Sequence, residues 1–241
     1  MNCPKCGYEN PADWAECLHC GVIFAKLHQG LGPAAPRAGE NAGVGQGHGV
    51  VRDLLLPLPE GPNGLALVGR AAILLGIVVW GGKLILGGIS GNAAGESLLH
   101  LINLPFHEAG HVSFSPFGRF LHSLGGTLGQ LLVPLICLAT LLLKTRDPFG
   151  GALCLWWFGE NFLDIAPYVN DARAGQLPLV GGNFGHSSPY GFHDWEYLLT
   201  ETGLLRYDHL LAKLAYGLGV TVMLTAMAWA ATLLYRQIRS R

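Results

Sequence analysis

The sequence predicts an all-α polytopic membrane protein, with four to five transmembrane or re-entrant helices behind a small cysteine-rich domain. Three observations carry that expectation. Half of the 241 residues are hydrophobic. Charged residues make up only 13%, against about 25% in a typical soluble domain. The apolar positions gather into four long runs, whereas four of the six cysteines fall within the first twenty residues. The resulting division is a metal-binding domain over 1–26, a linker over 27–64 and a membrane-embedded domain over 65–241.

The first segment, MNCPKCGYENPADWAECLHCGVIFAK, contains two knuckles, Cys3-Pro-Lys-Cys6-Gly and Cys17-Leu-His-Cys20-Gly. Each Cys-x-x-Cys pair can place two thiolates on one ion, and the glycine after it lets backbone N–H groups turn toward the sulfurs. Four thiolates suit tetrahedral zinc. A segment this short has almost no core, so a bound metal would supply its folding energy. His19, inside the second knuckle, reads as a surface residue. The stretch resembles the small zinc ribbons at the ends of many bacterial membrane proteins. A thiolate site of this kind suits a reducing compartment, which puts the N-terminus in the cytosol. The polar, cysteine-rich start also carries no secretory signal pattern.

Residues 27–64 are rich in Gly, Pro and Ala, as in GLGPAAPRAGENAGVGQGHG, and read as a flexible tether. Four candidate spans follow: Leu65–Ile89, Leu121–Leu143, Phe149–Val169 and Leu210–Tyr235. Each is long enough to cross a bilayer at about 1.5 Å per residue. Lys83 sits in the first and must snorkel or face protein. Between the first two spans, Ser97–Phe120 is helical in pattern but too polar for lipid. Lys144 and Arg146, and the tail Arg236, Arg239 and Arg241, should be cytoplasmic. That arrangement requires Ser97–Phe120 not to cross completely. Cys137 and Cys154 lie in apolar runs and read as small hydrophobes.

The polar segment contains LPFHEAGHVS. On a helix, His107 and His111 are one turn apart on one face, so both imidazoles can reach one ion. Glu108 lies beside them, placed to take a proton from an activated water. In a chain with ten histidines, chance would give such a pattern about 0.015 times. Ionisable groups at membrane depth are costly and mark function. A catalytic zinc needs a third protein ligand. GENFLDIAPYVNDARAG offers Glu160, Asp164 and Asp171. FGHSSPYGFHDWEYLL offers His193 and Asp194, the latter also readable as a helix N-cap. The run HSLGGTLGQLLVPL supplies Gly125, Gly126 and Gly129 for close helix packing. Its polar His122 and Gln130 suit interhelical hydrogen bonds or the orientation of a metal ligand.

HEAGH, a following membrane helix, then Asn161, Pro167 and Asp171 near the end of a third, resemble the site-2 protease class of intramembrane zinc metallopeptidases. That class carries a later Asn…Pro-Pro-Leu-Asp-Gly motif whose Asp is the third zinc ligand. The resemblance covers about residues 97–175. It implies Asp171 as the ligand and Asn161 as an oxyanion-stabilising catalytic residue. The spacing here is two residues longer, and Ala172 stands where the family has glycine, so His193 and Asp194 remain open as ligands.

The functional expectation is an intramembrane zinc metalloendopeptidase. Zinc would be held by His107, His111 and Asp171, and Glu108 would act as the base. A second, structural zinc would sit in the ribbon. Its substrate would be a membrane-spanning or membrane-adjacent peptide, its solvent the lipid bilayer, and the ribbon would recruit a protein partner. The expected location is a bacterial inner membrane. The competing expectation is a non-enzymatic membrane protein with structural metal sites and a partner-binding ribbon. A formal net charge of −1 argues against nucleic-acid partners.

Overall fold

The computed structural model describes residues 3, 8–11, 15–19, 22–24, 52–56, 64–180, 182, 184–185 and 193–240. Two compact units are present, Met1–Gly45 and Gln46–Arg241. The boundary falls within the stretch read as a linker, most of which lies outside the described residues.

In the first unit the two knuckles close in the same way. Cys3 N donates to Tyr8 O at 2.8 Å, and Cys17 N donates to Val22 O at 2.9 Å. Both bonds run from a cysteine to the carbonyl five residues on. Asn10 ties the halves together: its Oδ1 accepts from Leu18 N at 2.9 Å, and its Nδ2 lies 3.5 Å from Cys17 Sγ. Cys3 and Cys17 are buried beside Phe24. His19 is exposed, as read, and stacks on Tyr8 with centroids 5.2 Å apart. Cys6 and Cys20 lie outside the described residues.

The second unit is helical, and its described residues contain no strand beyond an isolated bridge between Pro178 and Phe184. In chain order the helices are α1 Gly64–Gly87, α2 Leu98–Phe114, α3 Arg119–Thr140, α4 Pro148–Asn170, α5 Asp194–Glu201 and α6 Asp208–Arg239. A π-helical turn, Leu141–Thr145, extends α3. Local chemistry sets the ends. Ser97 caps α2, accepting from His100 N at 3.4 Å. Gly118, at φ 93°, makes the turn from α2 into α3, a conformation that side-chain-bearing residues resist. Asp147 caps α4, with Pro148 at the first helical position, where its missing N–H costs nothing.

Three helical stretches are long and apolar enough to cross a membrane: Gly64–Gly87, Arg119–Thr145 and Leu205–Arg239. The third candidate span, Phe149–Val169, is not among them. α4 has the length, but 13 of its 23 residues are buried, against two of 24 in α1. α4 is the central helix, enclosed by the others, and this lets it carry Glu160 and Asp164 without facing lipid. Pro167 lies inside the helix; three further residues remain helical before Asp171 N donates to Pro167 O.

The helix ends sort into two sets. At one end, Arg70 lies 3.9 Å from Asp147, and Arg236 donates to Leu56 O. Phe149, Ala152, Ala230 and Leu233 pack there with Leu56 and Leu74. The start of α1, the α3–α4 junction with Lys144 and Arg146, and the end of α6 therefore meet. At the other end, Arg173 pairs with Asp208 at 2.7 Å, and Tyr216 donates to Ile85 O at the end of α1. α3 starts at this second end, against α5. The segment carrying α2 thus leaves and returns at the same end.

Glycines set the contact between α4 and α6. A Cβ on Gly159 of α4 would lie 2.9 Å from Met223 N and 3.0 Å from Gly219 O; one on Gly219 would lie 2.6 Å from Gly159 O. Those neighbours are backbone and cannot swing aside. Gly219→Val should therefore destabilise the unit by about 1–3 kcal/mol. Gly217→Val, whose Cβ meets nothing within 4 Å, should leave the melting temperature in detergent unchanged. Equal melting temperatures for the two variants would contradict this packing.

Candidate metal centre

The site starts from the way α2 lies on α3. A Cβ on Gly110 would meet Gly129 Cα at 3.1 Å and Gly125 O closer still; one on Gly125 would sit 2.6 Å from Gly110 O. The two backbones touch, as small residues at facing positions allow. This places His107 and His111 over Gly126, the second glycine of the run. A methyl group there would lie 2.6 Å from His111 Nε2 and nearer to His107 Nε2. Glycine at 126 leaves the room into which both rings point.

Each ring is held by its other nitrogen. His107 Nδ1 donates to Gln130 Oε1 at 2.6 Å, and His111 Nδ1 donates to His122 O at 2.8 Å. Because a carbonyl can only accept, His111 must carry a proton on Nδ1; the neutral ring then presents its Nε2 lone pair outward, and the imidazolium an Nε2–H that Asp194 can accept. His122 returns the contact, donating from Nδ1 to His111 O at 2.9 Å. Both polar residues singled out in the α3 run orient the histidines, His122 through its carbonyl and Gln130 through its side chain. Fixing Nδ1 in this way is the usual means of presenting Nε2 to a metal.

The third group comes from α5. Asp194 Oδ2 lies 3.4 Å from His107 Nε2 and 3.2 Å from His111 Nε2. Two ligands at about 2.05 Å from a tetrahedral zinc stand about 3.3 Å apart, so these separations fit the ion. Among the described residues, these three are the one group of His, Cys, Asp or Glu whose donor atoms all fall within 4.8 Å of one another. Asp194 Oδ1 accepts from Ser123 Oγ at 2.6 Å, which fixes the carboxylate. Burial alone would raise the Asp194 carboxyl, but hydrogen bonds from His107, His111 and Ser123 outweigh it and hold it well below the usual carboxylate range.

Asp194 is free for this because it is not the helix cap. His193 takes that position, its Nδ1 accepting from Glu196 N at 3.4 Å. Burial holds the His193 imidazole below its ordinary value, which keeps it neutral with Nδ1 able to accept. His193 is therefore a cap and not a member of the group. Asp171, the ligand implied by the resemblance, is also placed elsewhere. Its two oxygens accept from Gln176 N at 3.0 Å and Leu177 N at 2.7 Å, closing the turn after α4. Asn161 is buried on α4, and its hydrogen bonding stays within that helix, to Trp157 O. Glu108 is exposed on α2, close enough for its charge to act on His111. Asp194 was within reach of sequence reasoning through His193-Asp194 after the glycine-rich stretch, but only the fold separates it from Asp171.

No family model matches the chain, and no curated protein and no solved structure matches it.

Metal binding should follow this geometry. Asp194→Ala should leave one ion fewer per chain than wild type, whereas Asp171→Asn should not. Gln130→Leu, which frees the His107 ring, should weaken binding about 10–100-fold. Competition against a chelator measures both; metal loss in Asp171→Asn would restore the other ligand set.

Proposed function

We propose that the second unit is an intramembrane zinc metalloendopeptidase, acting on membrane-spanning or membrane-adjacent peptides. The observation that carries the reading is the convergence of His107 Nε2, His111 Nε2 and Asp194 Oδ2 at zinc-like separations, with Glu108 on the same helix one residue after the first histidine. Three protein ligands leave a fourth position open, the pattern of catalytic rather than structural zinc. Zinc held there supplies the Lewis acidity that makes water a nucleophile at neutral pH.

The protein groups have separate tasks. Gln130 and the His122 carbonyl hold the two rings so that Nε2 faces the centre. Ser123 holds Asp194. Glu108 accepts a proton from the attacking water as its oxygen adds to the peptide carbonyl carbon, then passes that proton to the departing amine nitrogen as the C–N bond breaks. The reading is site-2 protease-like in its helix motif but takes its carboxylate ligand from α5.

The surroundings suit such a site. The α2 segment begins and ends at one end of the unit, so in a bilayer it is re-entrant. Backbone of that kind is tolerated where it is enclosed by protein or lines a watery cavity. The basic residues Lys144, Arg146, Arg236 and Arg239 collect at the opposite end and would face the cytosol of a bacterial inner membrane. The first unit, with zinc on Cys3, Cys6, Cys17 and Cys20, would recruit a protein partner in that reducing compartment.

Glu108→Gln tests the mechanism. Cleavage of a transmembrane reporter by the purified protein in vesicles should fall by at least about a hundredfold, the scale of general-base catalysis, with metal content and melting temperature unchanged. Undiminished cleavage would overturn the protease reading. Absence of cleavage by the wild type across membrane substrates, with metal still bound, would favour a structural centre instead.

A further inference from the structure

A second polar cluster lies between α2 and α4, one turn before the metal-binding histidines. Its members are His100 and Asn103 from α2 and Glu160 and Asp164 from α4. Asn103 Nδ2 donates to both carboxylates, to Glu160 Oε2 at 3.0 Å and Asp164 Oδ2 at 3.1 Å. The orientation of that amide is set, because Trp157 Nε1 donates to its Oδ1 at 2.8 Å. His100 Nδ1 donates to Asp164 Oδ1 at 2.8 Å, and Tyr168 stacks on the His100 ring. Both oxygens of Asp164 are therefore met by donors.

Glu160 differs. It is fully buried, and its Oε1 has no hydrogen-bond partner. A bare anionic oxygen in such a place costs far more than a bare hydroxyl. A second negative charge one turn from Asp164 adds repulsion. Among the described residues no cation answers it. α6 faces this part of α4 with Gly219 and Met223, which pack on Gly159 and carry no charge. α1 contributes Trp80 against Trp156. From α3 and α5, Leu131, Trp195 and Leu199 pack nearby, around Ile165 and Val169. On α2 and α4, the titratable groups at the cluster are His100, Asp164 and Tyr168.

We propose that Glu160 is a proton-binding site within the membrane unit, holding a proton on Oε1 as a neutral acid at neutral pH. Asn103 anchors the other oxygen, and the ionised Asp164 with His100 forms its polar neighbour. The donor atoms favour a proton over a metal: Glu160, Asp164 and His100 do not converge as His107, His111 and Asp194 do. Asn103 links fully buried Glu160 to Asp164, and Asp164 accepts from His100, whose side chain is 21% exposed, so the polar cluster reaches from the buried carboxyl to the surface of the unit. Intramembrane carboxyls are rare and mark functional sites, proton relays among them. The inference does not depend on zinc or on proteolysis.

Infrared difference spectroscopy of the full chain in lipid nanodiscs tests it. At neutral pH a protonated carboxylic acid C=O band should be present, shift in D₂O, disappear in Glu160→Gln and persist in Asp164→Asn. Glu160→Gln should fold with an unchanged melting temperature, since the amide copies the neutral acid. A band that is absent, or that survives Glu160→Gln, would overturn the proposal. So would a band that appears in choline buffer and is lost in sodium, which would make the site one for a metal cation. If Glu160→Gln fails to fold, the wild-type band and its D₂O shift decide, with Glu160→Asp shifting its frequency if the proposal holds and leaving it unmoved if the band belongs elsewhere.

Discussion

The backbone contact between α2 and α3 is the constraint on which the site depends. Gly110, Gly125 and Gly129 bring the two helices close enough that no side chain fits between them. Only at that distance does the His122 carbonyl reach His111, and only then does Gln130 reach His107. Gly126 then does something different from its neighbours, since its missing side chain is the space the imidazoles face. Packing and site chemistry are specified by the same nine-residue run, His122–Gln130, which explains why polar residues occur there in an otherwise apolar helix.

α4 is the second organising element. Its glycine face receives α6, and its polar face, with Trp157, Glu160 and Asp164, receives α2. A helix so used cannot face lipid, although its length would allow it. The three helices apolar enough to cross a membrane surround or flank it, while the short α2 is held to it by hydrogen bonds rather than by apolar contact alone. In a bilayer, where apolar side chains gain little by leaving lipid for protein, such polar ties and close glycine contacts are the forces that remain.

Much of this was legible in the sequence, and the omissions have physical causes. HEAGH needed only helical periodicity to place two imidazoles together, and the glycine run announced close packing. Composition does not distinguish a helix enclosed by protein from one that faces lipid; for α4, Glu160 and Asp164 were the residues that could have told them apart. The carboxylate partner was harder. Asp171 follows the metal helix at a familiar remove, but its oxygens are taken by two backbone amides. Asp194 reads as an N-cap, and it reaches the histidines because His193 occupies the cap instead. Which of two adjacent residues caps a helix is decided by fractions of a turn that no residue pattern encodes.

The three converging groups differ in how the chain delivers them. His107 and His111, with the atoms that orient them, all lie within one helical hairpin. Asp194 arrives from about eighty residues further on, at the first turn of an eight-residue helix too short to be stable by itself. An ion shared by the hairpin and this helix would act as a clasp across a long loop, stabilising the docked arrangement by mass action. Metal supply would then govern whether the end of the bundle around α5 is shut, while the hairpin keeps its two rings in place in either condition.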